Sequence, residues 1–260
     1  MPKILFAGPF VGEFGVELFM WQGHIRNMSD DFDKTIISSR YPHYFLYQDF
    51  CNDFIPYDAK SVNCDGFECI DQTEIPNIHE HFNPTKVVRT VGLQSYLNDV
   101  NGTKQKFVSY YQNNSNEPNI DVCICARFFN KGATTKVQRN WKFDECVKVV
   151  NCLLDSGLRV ASVGLSCSAN YIPNTINYMD IKLRTLAKVL SNSKMIVGPS
   201  SGVMHFATLC KCPQVVWGEA NLEQRYKDEW NPFDISVQYI PEETYNVSGD
   251  IILNKISEVL

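Results

Sequence analysis

The stretch V-G-P-S-S-G-V-M-H-F-A-T-L-C-K-C-P, residues 197–213, decides how the chain reads. An apolar run (Met195, Ile196, Val197) stops at Gly198-Pro199, two serines and a glycine follow, and then an apolar segment of helical spacing carries one histidine. This is a strand (194–198), a turn and a helix (202–210), and the apolar QVVWG (214–218) supplies the next strand. A helix opening at a strand's carboxyl end presents unpaired N–H groups and the positive end of its dipole, which suits an anion. Ser200, Ser201 and Gly202 add hydroxyl donors and a close backbone approach. His205 falls in the first turn, on the same side. The plainer alternative is a serine-capped helix with a satisfied histidine.

The same alternation extends in both directions. IDVCICA (120–126) reads as a buried strand and LRVASVG (158–164) as another. Between them lies a helix over 143–157, with Phe143, Val147, Val150 and Leu154 on its inner face and Gly157 as its C-terminal cap. Asp180 is read as the cap of a helix whose inner stripe is Leu183, Leu186 and Leu190. Upstream, Lys3–Gly8, 34–40 and 86–92 read as strands. Leu18, Phe19, Gln22 and Ile25 share a helix ending near Met28, and 43–50 forms a short helix. Strands alternating with helices predict parallel sheets covered on both faces. The polar, turn-rich 112–119 marks the boundary between a domain over 1–117 and one over 118–260, with the last helix free to pack back on the first.

Composition narrows the function classes. The net charge is −5, and residues 1–117 hold 9 Lys and Arg against 15 Asp and Glu. A general nucleic-acid binder needs a concentrated basic face, and the first half offers the reverse. No stretch approaches the roughly 20 apolar residues of a membrane span, and the short N-terminal apolar run does not make a signal peptide. The expectation is a soluble, cytoplasmic protein. Ten cysteines are then reduced thiols, with Cys123 and Cys125 in a strand and Cys146 and Cys152 in a helix. Cys210-x-Cys212 and Cys64-x4-Cys69 are poor zinc spacings, so no metal site is expected.

Cations gather at the other strand ends. Arg127 closes the strand over 120–126, and Lys131, Lys136, Arg139 and Trp141 follow in the next loop. Guanidinium at a strand's carboxyl end can grip a phosphate bidentately. Gly164-Leu165-Ser166 closes the strand over 158–164 in the same topological position. In the first half, Glu13 sits in the loop after the first strand and Glu17 one turn later; Phe10 and Phe14 flank them, and Trp21 reads as core.

RFFNKGATTKVQRNW, VASVG and VGPSSGVMHFATLCKCPQVVWG, in this order, resemble the C-terminal half of family 9 glycosyltransferases, the heptosyltransferase type. The likeness covers residues 120–220 and rests on the small–serine–glycine–x–x–histidine signature, here Ser201, Gly202 and His205. VGEFGVELFMWQGHIR resembles the family's opening loop and helix, more weakly. The resemblance implies a GT-B fold: two Rossmann-like domains facing a cleft, the C-terminal one binding a nucleotide-diphosphate sugar and the N-terminal one the acceptor. It implies an inverting, metal-independent transfer to a glycan or other hydroxyl compound, with no cofactor beyond the donor. Glu13 would be the base and Glu17 the second candidate. Arg127, Lys131, Arg139, Gly164, Ser200, Ser201, Gly202 and His205 would bind the donor's diphosphate, and Phe10 and Phe14 the acceptor. Two departures stand out: Ser200 replaces the family's aspartate, and the chain is short for two such domains. Competing readings are a transferase acting on a modified base in viral DNA, a nucleotide-sugar epimerase, and a non-catalytic sugar-nucleotide-binding module. Glu219, Asn221 and Arg225 either touch the donor or lie on a solvated helix with a Glu223–Lys227 pair.

Overall fold

The computed structural model describes residues 1–57, 77–90, 98, 100–111, 119–129 and 139–260. The chain divides into two compact units, Met1–Phe107 and Val108–Leu260. The expected boundary at 117 falls in 112–118, outside the described residues.

In the first unit, β1 (Ile4–Ala7), β2 (Lys34–Ser39), β3 (Asp53–Pro56) and β4 (Lys86–Val88) form a parallel sheet in the order β3-β2-β1-β4. Leu5, Phe6, Ile36 and Ile37 are fully buried in it, as the unbroken apolar runs predict for a sheet covered on both faces. The first helical segment begins with α1 (Phe14–Val16), widens into a π-turn over Glu17–Trp21 and continues as α2 (Gln22–Ser29). Leu18, Phe19, Gln22 and Ile25 are all buried, as their spacing predicted. The expected helix over 43–50 is instead a 3-10 helix, Tyr41–Leu46, with Pro42 in its first turn. Gly8 leaves β1 at φ +124°, where a Cβ would stand 2.3 Å from the Ser38 carbonyl oxygen. Only glycine lets the loop carrying Phe10–Glu13 turn off the strand so close to β2.

The second unit comprises β5 (Ile120–Ile124), α3 (Phe143–Asp155), β6 (Val160–Gly164), β7 (Ile176–Met179), α4 (Leu183–Ser191), β8 (Ser193–Pro199), α5 (Gly202–Leu209), β9 (Gln214–Gly218), β10 (Val237–Pro241) and α6 (Gly249–Ser257). Its six strands are parallel in the order β10-β9-β8-β5-β6-β7. That is the doubly wound arrangement, and its direction reverses between β5 and β8. Ligands bind such sheets outside the carboxyl ends of the strands at that reversal, where Arg127 and the Ser200–Gly202 turn both stand.

Two expectations are corrected. The buried face of α3 is Cys146, Val149, Val150 and Leu153, whereas Phe143 is 45% exposed and Val147 and Leu154 only partly covered. Cys146 behaves as a small hydrophobe and turns the helix onto a neighbouring face. Asp180 does not cap α4, whose N-cap is Lys182; it sits at φ +55° and its carboxylate accepts the Ser166 N–H at 2.8 Å. Gly157 does close α3, at φ +77°.

Candidate functional site

At the end of β8 the chain passes through Gly198, where a Cβ would meet the Cys125 carbonyl oxygen at 2.7 Å. This close approach brings the exits of β5 and β8 together. Ser200 follows, buried, its N–H donating to the Trp217 carbonyl at 2.8 Å. Ser201 is the N-cap of α5 in extended geometry, but its hydroxyl makes no capping bond; Oγ lies 3.8 Å from Cys125 Sγ. The plain serine-capped helix is therefore not what forms.

His205 is not placed as expected. It is 7% exposed, its ring stacks on Tyr226 at 4.5 Å between centroids, and Trp230 meets it edge-on at 4.7 Å. Burial, with the nearby Arg225 and Arg139 charges, pushes its pKa down to about 3. A neutral imidazole adds no charge of its own at this strand exit.

Sequence reading missed Tyr226. Its phenol donates to Ser200 Oγ at 3.0 Å, and burial pushes its own ionisation far up. It fixes the Ser200 side chain. Tyr226→Phe leaves a buried hydroxyl without its donor and should cost about 1–3 kcal/mol, read as a lower urea midpoint with an unchanged slope. Only tertiary contacts reveal this tyrosine, because its segment, Arg225–Glu229, is polar around it. The Glu223–Lys227 pair does form, at 2.6 Å. Arg225 stacks over Trp230 at 4.6 Å, which puts its charge beside His205 rather than on a solvated face.

Arg127 follows β5, half-buried, bridged to Ala169, and its carbonyl accepts the Trp141 N–H at 3.0 Å. Trp141 packs edge-on against Trp217, 4.8 Å between centroids, and Arg139 lies 5.8 Å over the Tyr245 ring. Three guanidinium groups, Arg127, Arg139 and Arg225, thus belong to the strand-exit side of this unit. Lys131 and Lys136 fall outside the described residues. Gly164 has a structural reason of its own: at φ +137°, a Cβ would stand 2.8 Å from that of Ala169.

In the first unit, Glu13 is the N-cap of α1, half-buried, its carbonyl accepting the Glu17 N–H at 3.0 Å. Phe14 is half-buried, its ring 5.0 Å from that of His43. Phe10 has 0% exposure and packs on Trp21 at 5.4 Å, so it is core and no platform for an acceptor. Glu17 is also fully buried, and its carboxylate is taken up by Ser39, Tyr47 and His43, which removes it as a group that meets an acceptor directly. Among the described residues, no group of three or more His, Cys, Asp or Glu side chains stands together as a metal site. No helix among them is long and apolar enough to cross a membrane.

No family model and no curated protein matches the chain. Solved structures do. E. coli ADP-heptose LPS heptosyltransferase II superposes with a TM-score of 0.63 at 13% identity, over 99% of this chain and 98% of that one. E. coli heptosyltransferase WaaC with ADP gives 0.61 at 12% identity, over 99% and 100%. The glycosyl transferase family 9 structure from Veillonella parvula DSM 2008 gives 0.58 at 10% identity, over 99% and 97%. At such identities the likeness is one of fold. The chain has the α/β, GT-B fold of the heptosyltransferases and of this family 9 glycosyltransferase.

Proposed function

We propose that the chain is a glycosyltransferase that moves a sugar from a nucleoside-diphosphate donor to an acceptor hydroxyl, with inversion and without a metal. The observation that carries this reading is the strand exit of the second unit. There Arg127 and the Ser201–Gly202 opening of α5 flank the reversal between β5 and β8, on the fold of enzymes that use such donors. Arg127, Arg139 and the first amides of α5 would take the charge that develops on the departing diphosphate, the largest single source of rate in such sites. ADP-sugars are the first donors to try, because heptosyltransferase II is described with ADP-heptose and WaaC with ADP.

The first unit would hold the acceptor. Two groups at the carboxyl end of its sheet are able to take the acceptor's proton: the Glu13 carboxylate and the His43 imidazole. The acceptor class is a glycan or another hydroxyl compound.

The reading is tested by incubating the protein with ADP-, UDP- and GDP-sugars and following nucleoside diphosphate release with and without EDTA. One donor should be turned over, insensitive to chelator, with an inverted anomeric centre by NMR. Arg127→Ala should lower that rate about 10²–10³-fold. Interconversion of the donor sugar with no diphosphate released would identify an epimerase instead, and binding without turnover a non-catalytic module.

A further inference from the structure

The Glu17 carboxylate has no part in donor binding, yet its surroundings are not those of an ordinary core. One oxygen accepts the Ser39 and Tyr47 hydroxyls, both at 2.6 Å. The other meets His43 Nδ1 at 2.5 Å and lies 3.8 Å from an Arg40 nitrogen. Burial works against ionisation here, but the pairing and hydrogen bond with His43, the Arg40 charge and the Ser39 hydrogen bond outweigh it and hold the carboxyl below its ordinary range. Desolvating a carboxylate and a guanidinium together is expensive, and an apolar cluster of the same volume would serve stability at least as well. What the arrangement fixes is the imidazole.

A carboxylate on Nδ1 keeps the hydrogen on that nitrogen and leaves the lone pair on Nε2. Among the described residues Nε2 has no hydrogen-bond partner, and the His43 side chain is 14% exposed. The Phe14 ring covers one side of the imidazole at 5.0 Å, tilted by 45°. The group stands at the carboxyl ends of β1 and β2: Ser39 closes β2, and an Arg40 nitrogen donates at 2.9 Å to the Gly12 carbonyl in the loop that carries Glu13.

We infer that Glu17 and His43 form an acid–base pair in which His43 Nε2 accepts the proton of the acceptor hydroxyl and Glu17 is its positioning residue. The inference rests on the glycosyl-transfer reading and names the base within it. The proton passes from the acceptor oxygen to Nε2. That oxygen's electron pair forms the bond to the anomeric carbon, and the bond from that carbon to the diphosphate breaks, its pair leaving on the diphosphate. Glu17 stabilises the imidazolium that results. An imidazole oriented by a buried carboxylate is well placed to remove a hydroxyl proton.

The test compares His43→Gln, Glu17→Gln and Glu13→Gln with the wild type, using the nucleotide sugar that the wild type turns over. His43→Gln should lower kcat about 10²–10⁴-fold, with the donor's KM and its thermal shift unchanged, which excludes misfolding as the cause. If Glu13→Gln loses kcat while His43→Gln keeps it, Glu13 is the base and the pair is overturned. A second readout needs no substrate: diethyl pyrocarbonate acylates accessible, unprotonated imidazole nitrogen. His43 should be acylated in the wild type, and the rate of its labelling should change in Glu17→Gln. Wild-type kcat in His43→Gln overturns the pair while leaving glycosyl transfer intact. If the wild type turns over no nucleotide sugar, the transfer reading fails instead. The labelling then decides the pair by itself, and a His43 that resists the reagent overturns it.

Discussion

Glu17→Ala lowers the stability of the protein by about 3–5 kcal/mol, the usual penalty for removing one partner of a buried ionic network. The cost comes from what stays behind. Ser39 and Tyr47 lose the acceptor of their hydroxyl hydrogen bonds, and Arg40 keeps its charge beside an empty space. Two elements that share no sheet pairing with the helical segment, the end of β2 and the 3-10 helix Tyr41–Leu46 with the Tyr47 that follows it, both bond to this carboxylate. Urea unfolding measures the change as a lower midpoint, with the slope unaltered if the unfolded chain is unchanged. A loss below about 1 kcal/mol, the scale of a surface ion pair, would mean that the carboxylate is solvated and the network does not form.

The second large effect depends on pH. The His205 imidazole titrates near 6.5 in the unfolded chain and near 3 in the folded one, because burial and the Arg225 and Arg139 charges resist the imidazolium. Below 6.5 the unfolded chain binds a proton that the folded protein refuses. The contribution of neutral His205 is therefore complete above pH 6.5 and declines as the pH falls toward 3. The slope is about 1.4 kcal/mol per pH unit, on the order of 5 kcal/mol over the whole window. His205→Phe keeps an aromatic ring against Tyr226 and Trp230 and removes the titration. Unfolding free energies at pH 6.5, 5.5 and 4.5 should converge, the wild type losing more than the variant at each step. Parallel curves would show that His205 is protonated in the folded protein and available as a charge after all.

How far these features could be read from sequence depends on the range of the contacts that make them. The strands at 120–124, 160–164, 193–199 and 214–218 are unbroken apolar runs closed by turn residues, and local pattern is enough to find them. So is α5, announced by Gly198-Pro199-Ser200-Ser201. The face of α3 was misread by about one position because Cys146 was not counted among the apolar residues that set the stripe. Asp180 looked like a cap on spacing alone, whereas its left-handed conformation and its bond to the Ser166 amide depend on a strand exit 14 residues earlier.

The candidate site divides in the same way. Arg127 and the Ser200–Gly202 turn are legible because strand ends in a parallel sheet converge whatever else the chain does. The state of His205 is not, since its neutrality comes from Tyr226 and Trp230, both more than 20 residues away in a polar stretch. Phe10 looks like a loop aromatic until Trp21 is seen beneath it. His43 carries no local signal at all. Only Glu17, 26 residues upstream, distinguishes it from a surface histidine.

The most direct test of the central claim is the thermal shift of the protein with ADP, UDP, GDP, CMP and dTDP, for the wild type and for Arg127→Ala. A ligand at 100 times its Kd adds about 2.7 kcal/mol to the folded state, a rise in Tm that is readily measured. The account predicts that one nucleotide stabilises the wild type and that Arg127→Ala loses most of the effect. If no nucleotide moves the wild-type Tm, the arginines and the Ser-Ser-Gly turn are not a donor site, and the proposed glycosyl transfer is contradicted.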